Sequence, residues 1–216
     1  MAQRGTNWTI TGLTDQVARP DQFAGGGAVA AMSLAGAAAT AELVFELSSS
    51  RRKISEADRS RLREAVALCQ RLRTIFEHAI DEDIAALNEL MDSQSQLRSA
   101  RRQADEIPAH ISERSNEAVE AATETPLRVA RDGKRLLRTI EELQPLARAF
   151  TASDLGAAAA TCSGAITSLL LMAEVNLSLI NDESTATRIA QEIEDLYSQS
   201  REQADRIVAS TREVIR

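Results

Sequence analysis

Aromatic side chains make up only 3% of this 216-residue sequence, with one Trp, one Tyr and four Phe. Proline (4) and glycine (9) are scarce as well, while Ala and Leu abound. With few strand formers and few breakers, an all-β architecture is excluded and helices are expected. The two cysteines, Cys69 and Cys162, belong to no CxxC or Cys/His cluster, and the only histidines are His78 and His110. Neither a disulfide framework nor a metal site is therefore indicated. Positive charge is not in excess: 25 basic residues face 32 acidic ones, for a formal charge of −7 and a pI near 5.0. That balance argues against a nucleic-acid footprint. The first eight residues, Met1-Ala2-Gln3-Arg4-Gly5-Thr6-Asn7-Trp8, hold no apolar signal core and no lipidation motif, so a reducing cytoplasm is the expected compartment. At 44% hydrophobic and 26% charged, residues 1–216 read as one folded soluble domain.

Local signals divide the chain into helices. The pattern predicts a short helix near residues 11–19, and a second from the Gly25-Gly26-Gly27 run to about Leu47. A polar break at Arg51-Arg52-Lys53 precedes a third, which Ser55 caps with help from Asp58 and which extends to about Met91. Helical pattern resumes near Ser112 towards Pro126, a residue expected to end or kink it. A helix to about Leu143 follows, then two more over about 153–180 and 183–214. Residues 22–41 and 155–173 carry no charge at all. Each is long enough to span a bilayer, but Ala, Gly, Ser and Thr dominate, and basic and aromatic flanks are missing. A helix without a polar face is otherwise a central one. The expected architecture is an all-α helical bundle with two buried small-residue central helices, soluble rather than membrane-bound. Covering both helices completely calls for a second subunit, so a homodimer is expected.

Polar residues at apolar positions mark the candidate site. The third helix carries a core stripe of Leu62, Val66, Cys69, Leu72, Phe76, Ile80, Asp83, Leu87 and Leu90, which assigns Asp83 to the interior. A carboxylate there needs a structural partner, such as an Arg or a helix terminus, or it faces a polar cavity where burial tunes its acidity for proton transfer. Asn88 lies a little over one turn further on. Asn176 interrupts the stripe Cys162, Ile166, Leu169, Ala173, Ile180 in the same way, either as a helix–helix hydrogen bond or as a site residue. Ser153-Asp154 reads as an N-cap pair. The three glycines precede a helix, where bare backbone N–H groups can approach an anion or carbonyl. Arg51, Arg52 and Lys53 are solvated or receive a carboxylate. The cysteines read as core fillers, and no nucleophile–base–orienter set supports a hydrolase triad.

Taken in order, these pieces resemble the cyclodeaminase/cyclohydrolase family, the formiminotetrahydrofolate cyclodeaminase domain and the methenyltetrahydrofolate cyclohydrolases. The matching stretches are Gly25-Gly26-Gly27-Ala28-Val29-Ala30-Ala31, Arg51-Arg52-Lys53, Asp81-Glu82-Asp83-Ile84-Ala85-Ala86, Ala122-Thr123-Glu124-Thr125-Pro126-Leu127, Ser153-Asp154-Leu155-Gly156 and Asn176-Leu177, with Asp182-Glu183 after them. The resemblance implies an all-helical homodimer acting on a tetrahydrofolate derivative as substrate, with no bound cofactor and no metal. It makes Asp83 the general acid/base, with Asp154 and Asn176 holding and polarising the pterin or the reacting carbon. Gly25, Gly26 and Gly27 let the ligand pass close to backbone, and Arg51, Arg52 and Lys53 take the glutamate carboxylates. Ser153 joins the substrate set beside Asp154, and Asn88 joins it by its spacing from Asp83.

The sequence also departs from the family pattern. Met172 stands where an Asn often precedes Asn176 by four, Ser178 where some members have Lys, and Leu87 where an aromatic often follows the acid. Ala147-Arg148-Ala149-Phe150 replaces a Gly-Asn-x-Asn type segment. These exchanges make any pocket more apolar. They open two further readings: a family member repurposed for cyclisation or proton transfer on a more apolar metabolite, and a non-catalytic ligand-binding scaffold.

Overall fold

A computed structural model describes residues 8–20, 24–103 and 106–216; the Met1 to Asn7 stretch and residues 21–23 discussed above lie outside it. The described residues form six α-helices and no strand, an all-α bundle. They are α1 (Ile10–Val17), α2 (Gly26–Ser49), α3 (Glu56–Gln103), α4 (Ala109–Leu143), α5 (Ala149–Glu174) and α6 (Glu183–Val214). Short 3-10 turns at Gln144–Leu146 and Leu177–Leu179 flank α5. Helices α2 and α5 pack side by side, α3 flanks α2, α6 flanks α5, and α4 packs against α3, α5 and α6. One continuous core draws on all six, with Leu13, Leu34, Phe45, Phe76, Leu136, Ile166 and Ile207 among its buried members. The central contact is close because Gly133 of α4 has no side chain: a Cβ there would lie 2.9 Å from Ile166 and 3.2 Å from Leu34.

The Ser55 cap forms as expected, the Asp58 N–H donating to Ser55 Oγ at 3.0 Å. A further cap starts α6, where the Thr185 N–H donates to Asp182 Oδ2 at 3.0 Å. Several boundaries differ. Helix α5 stops at Glu174 rather than near residue 180, which leaves Asn176 just beyond it. Helix α3 continues past Met91 to Gln103, because Ser93 and Leu97 stay buried and Gln94 Nε2 donates to Ser115 Oγ on α4 at 3.0 Å. Pro126 does not end α4; it sits buried inside one helix, where packing by Val119, Leu127, Val129 and Ala130 outweighs its intrinsic cost. Helix α5 begins at Ala149, so Ser153 and Asp154 lie within the helix and do not cap it.

The two central helices are less covered than a charge-free sequence implies. By length and composition α2 and α5 could each cross a membrane, and half of each apolar window is buried inside the bundle. Their other faces are open. Leu43 and Leu47 of α2, and Leu171 with the following Val175 of α5, are exposed. A Cβ at Gly36 or Gly164 would meet nothing within 4 Å.

Candidate active site

Where α2 begins and α5 ends, Gly25, Gly26 and Gly27 meet Asp83, Ala86, Leu87 and Leu90 of α3, Ala122 and Pro126 of α4, and Met172, Val175 and Asn176. Together they enclose a cavity of about 90 Å³. A folded helix leaves its first four N–H groups without intrahelical partners. Helix α2 has no side chain of its own to take them, since Gly25 is its N-cap. Asp83 supplies what is missing, accepting a hydrogen bond from the Ala28 N–H.

The glycine run has a specific reason. A Cβ on Gly27 would lie 2.7 Å from Asp83 Oδ2 and closer still to Oδ1. Only a residue without a side chain lets the carboxylate approach the helix terminus. A Cβ on Gly26 would rest 3.5 Å from Met172 Sδ, so the same run forms one wall and Met172 the one facing it. This contact also sets α2 and α5 antiparallel.

Two opposed effects set the acidity of Asp83. Burial disfavours the charged form, while the Ala28 N–H and the positive end of α2 favour it. Burial wins, and the pKa rises to about 6. A structural partner and a cavity-facing carboxyl are alternatives in the sequence; in the structure Asp83 is both. It caps a helix and presents a group able to give or take a proton near neutral pH.

Asn176 is buried and lines the same cavity. Its Nδ2 donates to Ala122 O and to Met172 O, each at 3.1 Å. The helix–helix hydrogen bond and the place in the cavity wall are again both present.

The remaining sequence-derived candidates lie elsewhere. Asn88 turns back on its own helix, donating to Ile84 O at 2.6 Å, and does not line the cavity. Asp154 lies about 27 Å from Met172 down the axis of α5, half-buried, with Ser153 exposed beside it. That is the end at which α2 finishes. There Arg51 Nη1 donates to Leu146 O at 3.2 Å, while Arg52 and Lys53 are exposed. A single chain thus brings together Gly25, Gly26, Gly27, Asp83, Met172 and Asn176. It leaves Arg51, Arg52, Lys53, Ser153 and Asp154 at the opposite end.

Among the apolar departures, Leu87 and Met172 line the cavity. Phe150 is exposed, with the Arg148 guanidinium 5.6 Å from its ring centre, and Ser178 is exposed. Sequence reasoning missed Pro126 as a wall residue because a proline in a helical pattern reads as a stop. It took Leu90 for core alone. Cys69 and Cys162 are buried free thiols; burial pushes Cys69 up to about 12 and Cys162 higher, which makes them inert core atoms.

A larger cavity of about 410 Å³ lies between α4 and the start of α6, lined by Asn116, Glu120, Thr123, Glu124, Asp182 and Arg188 among others. Two of its acids are engaged in structure: Asp182 caps α6, and Glu124 pairs with Arg131. The carboxyl with the raised pKa, Asp83, lines the smaller cavity.

Comparison with known proteins bears on the family and the fold. Residues 9–195 match the family model described as formiminotransferase-cyclodeaminase. A methenyltetrahydrofolate cyclohydrolase from Methylorubrum extorquens is 25% identical over 194 residues, covering 90% of this chain and 91% of its own. The crystal structure of formiminotetrahydrofolate cyclodeaminase from Thermotoga maritima superposes with a TM-score of 0.83 at 22% identity, over 97% of this chain and 98% of that one. A match over so much of the chain, with the fold to go with it, makes this protein a member of the formiminotransferase-cyclodeaminase family.

Proposed function

We propose that this chain is a folate one-carbon enzyme that hydrolyses the methenyl bridge of methenyltetrahydrofolate, with Asp83 as general acid/base. The observation that carries the reading is the Asp83 carboxyl, held at the α2 terminus in a cavity with a pKa raised to about 6. At pH 7 it is ionised and able to take a proton from water as oxygen bonds to the bridging carbon, giving a tetrahedral centre between two nitrogens. Returning that proton to one nitrogen breaks its C–N bond and leaves a formyl group. The amidinium charge of the substrate leaves as a proton. The cyclohydrolase relative supports the hydrolytic direction. Loss of methenyltetrahydrofolate absorbance on adding the purified protein, abolished in Asp83→Asn, is the expected result. Ammonia release from formiminotetrahydrofolate instead would assign the cyclodeaminase reaction to the same acid. No acceleration of either reaction over buffer would count against folate chemistry.

A cavity of about 90 Å³ admits the reacting bridge but not a whole folate, since ligand sites run to about 300 Å³ or more. We therefore also propose a cytoplasmic homodimer through the open faces of α2 and α5. With the two copies antiparallel across Gly36 and Gly164, the partner subunit's Asp154, Ser153 and Arg51 to Lys53 segment complete the site. Mixing inactive Asp83→Asn and Asp154→Asn subunits then restores activity, because each mixed dimer holds one intact site. No restored activity, or a monomer mass by light scattering, would reject this assembly.

A second reading has its own observation, the Leu87, Met172 and Val175 wall, which favours a more apolar metabolite. Pterin bound in the cavity of a soaked crystal would argue that down. If Asp83→Asn left every activity and ligand affinity unchanged, a binding scaffold would be the better description.

A further inference from the structure

Two carbonyl oxygens converge on Asn176 for different reasons. Ala122 O lacks the usual helical donor, because four residues on stands Pro126, which has no N–H. Met172 O loses its donor because α5 ends there, the Asn176 N–H turning to Ala173 O at 3.2 Å. A primary amide has two N–H hydrogens, and Asn176 spends one on each carbonyl. Flipping the amide would set Oδ1 against both oxygens. Among the described residues Asn176 Oδ1 accepts no hydrogen bond, and unlike Trp8 Nε1 and Ser200 Oγ it is not among the buried atoms left without a partner. It belongs to a residue lining the cavity.

We propose that Pro126 is a positioning residue acting through Asn176. By withholding an N–H from Ala122, it locks the amide so that Asn176 offers the cavity an acceptor only. The site therefore selects a ligand that presents an N–H or O–H donor next to the group served by Asp83, and disfavours one presenting a second acceptor. The kinetic consequence rests on the acid/base reading of Asp83; the lock does not.

Pro126→Ala restores an N–H that reclaims Ala122 O and frees one Asn176 hydrogen. In the full chain, the Asn176 side-chain amide signals are identified by their loss in Asn176→Asp. They should exchange slowly with solvent in wild type and about tenfold faster in Pro126→Ala, the factor for losing one hydrogen bond. The thermal midpoint should hold or rise. With methenyltetrahydrofolate, kcat/KM should fall about tenfold while the pH midpoint set by Asp83 stays in place. Fast exchange of the amide in wild type overturns the lock, and that measurement stands even if Pro126→Ala does not fold. A folded Pro126→Ala with a freed amide and unchanged kcat/KM overturns the selectivity. A wild type inert on folate fails the functional reading alone, and the exchange measurement still decides the lock.

Discussion

At its N-terminus α2 is capped from outside by Asp83, a carboxyl whose charged form burial disfavours. At its C-terminus the Ser49 and Arg51 carbonyls receive the Arg59 guanidinium, the second at 3.1 Å. Both ends satisfy orphaned backbone groups. The partners differ in one property: a guanidinium stays charged at every relevant pH, whereas the Asp83 carboxyl changes state near 6. One end is closed permanently, and the other is closed by a group that can exchange a proton with whatever occupies the cavity.

The largest effect should come from Gly27→Ala. The added Cβ drives into the Asp83 carboxylate, so the cap and the acid are lost together. Stability should drop by about 2–4 kcal/mol in denaturant titration, with activity lost as well. Retention of activity in Gly27→Ala would break the link between the glycine and the acid.

Next comes Asp83→Asn, which keeps an acceptor for the Ala28 N–H but cannot take a proton. Its kcat should fall by about 10²- to 10⁴-fold with the fold intact. Wild-type kcat/KM should rise with pH through about 6 and level off above. Stability runs the other way. The folded state holds the Asp83 proton more tightly than the unfolded chain, where the pKa is 3.8. This contribution is therefore full below pH 4 and lost as pH rises through about 6, by up to about 3 kcal/mol. Chemical denaturation at several pH values should show that slope in wild type and its absence in Asp83→Asn. Arg59→Ala, at the other end of α2, should lower stability by about 1–3 kcal/mol equally on both sides of pH 6.

What was legible in the sequence follows the same division. Features with local causes were readable: the Ser55 cap, the end of α4 at Leu143, and one acid in an apolar stripe. Features set by a distant neighbour were not. Gly27 is bare because of Asp83, 56 residues later in the numbering. Pro126 survives inside α4 because packing holds the helix, and Asn176 takes the carbonyl it orphans. The separation of Asp154 from Asp83 depends on the antiparallel pairing of α2 and α5, which periodicity within either helix cannot reveal.

The smallest expected change tests the wall between the two helix ends. Met172 touches the bare α2 terminus through its sulfur, and its backbone carbonyl, not its side chain, holds Asn176. Met172→Asn therefore keeps the Asn176 lock while adding a polar group to an apolar wall. Its effect should be confined to ligand binding: KM for methenyltetrahydrofolate should fall a few-fold, by about 1 kcal/mol, with kcat and its pH dependence unchanged. A rise in KM, with tighter binding of apolar ligands lost at the same time, would show instead that the thioether itself is a recognition element, and would move the substrate away from folate.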